Sequence, residues 1–157
     1  MQATRYAAAL KRENIADKFC LISSPLGRAA ATAQIIGSQL GMPIVFDERL
    51  VEVSLGSWDG LTFDEVETRF PEVIRGATKF DWYFRSLDGE SYAAANTRLA
   101  EWLDELDQPT IAITHGLVTR LIRGIWLKLD MATTLRQPIV QDGMFHLSET
   151  GVALLEV

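Results

Sequence analysis

The chain has 157 residues, 48% of them apolar, with 15 basic and 21 acidic side chains for a formal charge of −6, which fits one domain with a substantial core. A single Cys20 excludes an internal disulfide, and two histidines, His115 and His146, leave almost no room for a structural zinc site. The negative charge argues against bulk nucleic-acid binding and no apolar stretch approaches a membrane span, so the expectation is a cytoplasmic globular protein without nucleic-acid or membrane partners.

From Met1 to about Asn14 the spacing of Ala3, Tyr6, Ala7 and Leu10 predicts a helix, and Arg5, Lys11 and Arg12 within it exclude a signal peptide. Nothing before Ala3 offers a strong cap, as if the chain enters a helix already under way. Phe19 to Ile22 reads as a buried strand, with Cys20 as a small core residue, broken by Ser23-Ser24-Pro25. A helix follows from about Gly27, with Gly41 as its stop, and Ile44 to Phe46 is a second strand. Asp47 to Gly60 reads as a loop dense in acids, of which Asp47, Glu48 and Asp59 are expected to be solvated and Trp58 to pack. Thr62 to Glu65 has the form of a capping box, opening a helix that Pro71 ends near Phe70.

Glu72 to Leu87 is ambiguous, with a helical reading favoured and Phe80, Trp82, Tyr83 and Phe84 either lining a pocket or packing. Ser91 caps an amphipathic helix carrying Ala95, Leu99, Trp102, Leu103 and Leu106. Thr110 to Thr114 is a further strand, running through His115-Gly116 into a helix that carries Leu117, Leu121, Ile125 and Leu129. Met144–Leu147 and Val152–Val157 flank the turn residues Glu149-Thr150-Gly151, a hairpin signal that places His146 in a structural or exposed position. There is no repeat or linker composition, so one domain over residues 1–157 is expected. Alternating strands and helices imply a three-layer α/β/α fold, its sheet mostly parallel and closing in an antiparallel hairpin.

In such sheets ligands gather beyond the carboxyl ends of the strands. Two strand ends carry polar groups here: Ser23, Ser24 and Arg28 after the first, Thr114 and His115 after the third. Helix N-termini favour anions, and an arginine makes paired hydrogen bonds to phosphate, so a phosphate-sized site is expected. For either residue alone, a solvated Arg28 and a strand-end His115 bonded to backbone remain open. Glu52, in the acidic loop, could protonate a leaving alkoxide provided partial burial raises its pKa.

These residues resemble the histidine phosphatase superfamily, the phosphoglycerate-mutase-like proteins. Ser23-Ser24-Pro25-Leu26-Gly27-Arg28-Ala29 with Thr32-Ala33 resembles the family's second motif, and Leu50-x-Glu52-x-x-Leu55-Gly56-x-Trp58-x-Gly60 its acid-bearing segment. Gly89-Glu90-Ser91 with Arg98 is similar to a later helix start, and Thr114-His115-Gly116 to the second histidine motif. The resemblance implies phosphomonoester hydrolysis through a phosphohistidine, on a small phosphorylated substrate, with no cofactor and no metal. It implies that Arg28, His115 and Ser24 bind the phosphoryl group, that His115 supports the group in flight, and that Glu52 protonates the leaving oxygen. The phosphatase branch is favoured because the acid segment continues Leu55-Gly56-Ser57-Trp58-Asp59-Gly60 and Glu52 to Gly89 is too short for a mutase insertion.

One departure matters. The 157 residues contain no Arg-His-Gly, the motif that carries the family's nucleophile. The resemblance would place that motif and the first strand before Met1, with the chain beginning inside the family's first helix. An internal start, a misassigned start codon and a real deletion all remain open. Losing that strand would leave two ladder edges inside the sheet, so a rearranged sheet or a strand-supplying homo-oligomer is expected. The expectation for this chain is an impaired or inactive phosphatase, with a non-catalytic phospholigand-binding protein as the alternative.

Overall fold

The computed structural model describes residues 2–13, 18–140 and 143–156. The expected limits of the first helix at Met1 and Asn14, and of the last strand at Val157, lie outside those residues. Strand β1 (Cys20–Ser23) is central, with β2 (Ile44–Phe46) and β3 (Thr110–Ile113) on its two sides, both parallel to it. Successive side chains of a strand face opposite ways, and β1 uses this fully. Leu21 packs with Ala7, Leu10, Ile36 and Met42 on the side of helices α1 (Gln2–Arg12) and α2 (Gly27–Leu40). Ile22 points the other way, against Leu99, Trp102, Val118 and Leu121 of α4 (Tyr92–Asp104) and α5 (Gly116–Trp126). That is the expected α/β/α layering. Cys20 is half-buried at the strand's first position, less enclosed than a core residue.

The helix signals correspond to physical caps. Gly41 adopts φ 68° and ends α2. The Thr62 side chain accepts from the Glu65 amide while the Glu65 carboxylate accepts from the Thr62 amide, opening α3 (Phe63–Arg69). Ser91 Oγ accepts from the Ala94 amide at 3.1 Å at the head of α4. The ambiguous stretch before it is not a long helix. It holds a single 3-10 turn, Trp82–Phe84, and its aromatics pack: Trp82 with Trp58, Val66 and Ile74, and Phe80, Tyr83 and Phe84 against the α4–α5 cluster. Trp58 packs as expected, its ring centroid 5.4 Å from that of Phe70.

Two features differ from expectation. Helix α5 ends at Trp126, and a short α6 (Met131–Arg136) follows, capped by Asp130 Oδ1 accepting from the Thr133 amide at 2.9 Å. The hairpin of β4 (Gly143–Ser148) and β5 (Gly151–Glu156) also does not close the parallel sheet. It forms a second, two-stranded sheet. Met144 nonetheless packs on the α1–α2 cluster and Leu147 on the α4–α5 cluster, so the hairpin lies between the same helical layers as β1 to β3. Trp126 Nε1 donates to the Ser148 carbonyl at 3.0 Å, and the Arg123 guanidinium sits 3.8 Å from the Phe145 ring centroid.

Helices α5 and α6 meet at Gly124, where an added Cβ would lie 2.3 Å from Thr134 Oγ1 and 2.4 Å from its methyl. Alanine is the better helix former by about 1 kcal/mol, but overpacking costs about 1–3 kcal/mol. Gly124→Ala is therefore expected to lower stability in urea titrations, and an unchanged or raised midpoint would show that this contact yields freely.

Candidate active site

Parallel pairing aligns Ser23 with Ile113, so the two loops that leave β1 and β3 emerge side by side. Ser24 is fully buried there, and its Oγ lies 2.8 Å from His115 Nε2. The same oxygen accepts from the Leu26 amide at 3.2 Å, fixing the turn into α2. His115 is the residue before α5, its backbone extended at φ −116° and ψ 171°. Its carbonyl accepts the Thr119 amide at 2.9 Å and the Thr119 hydroxyl at 2.7 Å, which starts the helix.

Glu52 reaches the same place from the long loop. Its carboxylate accepts from the amides of Leu117 at 3.4 Å and Val118 at 3.3 Å, in the first turn of α5, and from its neighbour Val53 at 3.0 Å. The helix N-terminus that the sequence suggested for phosphate therefore holds one of the chain's own acids. Arg28, in the first turn of α2, is exposed and makes no hydrogen bond or ion pair to another described residue. Burial pushes the His115 imidazole below its ordinary pKa; Glu52 opposes this and the positive charge of Arg28 adds to it. Arg28, Glu52 and His115 line one cleft. Ser24 joins them through its bond to His115, while His146, exposed on β4, lines the cleft from its opposite wall.

The loop carrying Glu52 is held by residues whose roles local spacing does not reveal. Arg98 on α4 grips Glu90 with both ends of its guanidinium, Nε to Oε1 at 2.8 Å and Nη2 to Oε2 at 2.7 Å. Its remaining nitrogen donates to the carbonyls of Arg49 and Val51, immediately before Glu52. Thr114 Oγ1 adds a bond to the Leu50 carbonyl at 2.7 Å. Asp47 is not the solvated carboxylate expected. It accepts the Arg49 amide at 2.8 Å and pairs with that guanidinium at 2.9 Å, which holds its pKa below the usual carboxylate value. Asp59 likewise accepts the Leu55 amide at 2.9 Å. Among the described residues, no cluster of His, Cys, Asp and Glu is arranged to hold a metal ion, and no helix is long and apolar enough to cross a membrane.

A family model for the histidine phosphatase superfamily (branch 1) matches residues 1–151. The chain belongs to that superfamily. It is 33% identical over 125 residues to glucosyl-3-phosphoglycerate phosphatase of Mycobacterium tuberculosis, covering 71% of this chain and 56% of that protein. It is 26% identical over 136 residues to phosphoserine phosphatase 1 of Hydrogenobacter thermophilus, covering 83% and 63%. Among solved structures it is similar to mycobacterial glucosyl-3-phosphoglycerate phosphatase in complex with inorganic phosphate, with 26% identity and a TM-score of 0.73 over 98% of this chain and 81% of that one. The chain thus spans less than two thirds of the two curated relatives. Histidine phosphatases of the phosphatase branch are its relatives.

Two outcomes check this geometry. Arg98→Met leaves Glu90 without its partner in a site where both side chains are less than one-fifth exposed. It is expected to cost about 1.5–3 kcal/mol in chemical unfolding, the range for hydrogen bonds to charged groups. A loss below about 0.5 kcal/mol would mean that the Arg98 grip does not hold the loop.

The second concerns pH. Because His115 ionises at lower pH in the folded protein than in the unfolded chain, where histidine titrates near 6.5, its contribution is intact above that value and is lost as pH falls below it. Urea midpoints compared at about pH 7.5 and about pH 5.5 should drop more for wild type than for His115→Asn. Equal drops would place the ring in water.

Proposed function

We propose that Arg28, His115 and Glu52 form the phosphoryl-binding half of a phosphomonoesterase site, taking a small phosphorylated substrate or inorganic phosphate. The observation that carries this reading is an Arg28 guanidinium without a partner among the described residues, in a cleft with a histidine that Ser24 fixes in place. Arg28 binds two phosphoryl oxygens. His115, held by Ser24, faces the same group, and Ser24 acts through the histidine, since its hydroxyl already serves His115 and the Leu26 amide. Glu52 is the acid for the leaving oxygen, kept at the cleft by the first turn of α5 and by the Arg98 grip on its loop. The relatives named above support a phosphate ester of a small polar alcohol.

In this reading residues 1–157 form one domain that binds phosphate and turns esters over poorly. The chain's histidines are His115, which backs the phosphoryl group, and His146, which lies on β4. Neither follows an arginine and precedes a glycine, as the nucleophile of the resembled motif does. A protein that binds a phospholigand without chemistry is the second reading, and the same unpaired Arg28 supports it.

Calorimetry with phosphate and with vanadate should show saturable binding to wild type, weakened about 10- to 100-fold in Arg28→Ala, the equivalent of one charged hydrogen-bonded contact. With p-nitrophenyl phosphate, turnover is expected at background. No binding of either anion would sink the site. Reproducible hydrolysis lost in both Arg28→Ala and His115→Ala would sink the claim of inactivity and require another nucleophile.

A further inference from the structure

We propose that, given the phosphoryl-binding reading of Arg28, His115 and Glu52, Tyr83 determines which esters the site accepts, its hydroxyl bonding to a hydroxyl of the substrate's alcohol portion. Tyr83 lines the same cleft as those three residues. Of the described residues between Glu52 and Trp102 it alone does so, and the aromatic stretch therefore meets the cleft at one side chain.

The turn that presents it is tied at both ends. Asp81 accepts the Thr78 amide at 2.6 Å and the Thr78 hydroxyl at 2.7 Å, and it also accepts from the Arg85 guanidinium at 3.0 Å. Between these ties Trp82, Tyr83 and Phe84 form the 3-10 turn, whose successive side chains point about 120° apart. Trp82 is buried among Trp58, Val66 and Ile74, and Phe84 meets Tyr92 edge-on with ring centroids 5.4 Å apart. Tyr83 touches both clusters. Its ring centroid is 4.6 Å from that of Trp82, and it also packs against the cluster that holds Leu50, Val53 and Leu117. Leu50 and Val53 lie on either side of Glu52 in the chain, and the Leu117 amide is one of those that hold its carboxylate. Tyr83 and Glu52 are thus fixed to the same piece of core.

With the ring engaged by two clusters, the phenol is what remains for a ligand. The Tyr83 hydroxyl makes no hydrogen bond to another described residue, although the side chain is half-buried. An enclosed tyrosine hydroxyl ordinarily has a partner, and it can donate or accept. Small-molecule sites orient their ligands with a few such polar groups set in a mostly apolar wall. In the reading above Glu52 gives its proton to the leaving oxygen, which puts the alcohol on the Glu52 side of the phosphoryl group. There Tyr83 selects an alcohol with further hydroxyl groups over a plain alkyl chain.

Calorimetry with inorganic phosphate, glycerol 3-phosphate and propyl phosphate tests this without requiring turnover. Wild type is expected to bind glycerol 3-phosphate about 3- to 10-fold more tightly than propyl phosphate, the equivalent of one hydrogen bond. Tyr83→Phe keeps the ring and its packing, and should bring the two esters to within about twofold of each other with a thermal midpoint near wild type. Phosphate bound by wild type with no preference between the esters would overturn the assignment of Tyr83 and leave the phosphoryl-binding site standing. A preference kept in Tyr83→Phe would overturn it in the same way. Failure of wild type to bind phosphate or either ester would remove the site, and the role of Tyr83 with it.

Discussion

The pairing of β1 with β3 is the constraint from which the rest of the site follows. Its register sets Ser23 opposite Ile113, and the chain beyond each strand then delivers Ser24 and His115 to the same point. Ser24 is sealed from solvent, so its hydroxyl needs an internal partner, and the imidazole 2.8 Å away provides one. With the ring fixed there, α5 begins at a defined place and its first amides are available to Glu52. Thr114, one residue earlier, draws the Leu50 carbonyl to the sheet and brings the acidic loop with it. A slip of one residue between β1 and β3 would uncouple all of these contacts at once.

Charge is distributed against the grain of the composition. A chain with a formal charge of −6 lines one cleft with four arginines, Arg12, Arg28, Arg120 and Arg123, against three acids, Glu13, Glu52 and Asp107, of which Glu52 is held against the first turn of α5. Net charge describes the outer surface and long-range encounter, not the interior of a cleft walled by low-dielectric helices. Exposed Arg28 and buried Arg120 and Arg123 thus line the same cleft as His115.

What was legible in the sequence was what local physics controls. Leu21 and Ile22 alternate across β1, Gly41 ends α2 in the left-handed region, and Thr62 with Glu65 closes a capping box, all within a few residues. Motif order was legible too, because Arg28, Glu52 and His115 follow strand ends or the loop between them. The aromatic stretch before Asp88 was not legible, since its shape comes from Trp82 and Tyr83 packing onto two different clusters, not from periodicity. Nor were the Arg98 grip on the carbonyl of Val51 and the seat of Glu52 on α5, whose partners lie 47 and 65 residues apart. The two ladder edges, on β3 and β4, were legible from the order of the motifs.

The central claim is that β1 and β3 together assemble a phosphoryl-binding half-site from Arg28, His115 and Glu52. Its most direct test is a crystal structure of the protein with vanadate bound. The account predicts the anion within hydrogen-bonding distance of the Arg28 guanidinium, facing the His115 ring, with the Ser24–His115 bond kept. Vanadate bound elsewhere, or an Arg28 turned away from it, would contradict the account.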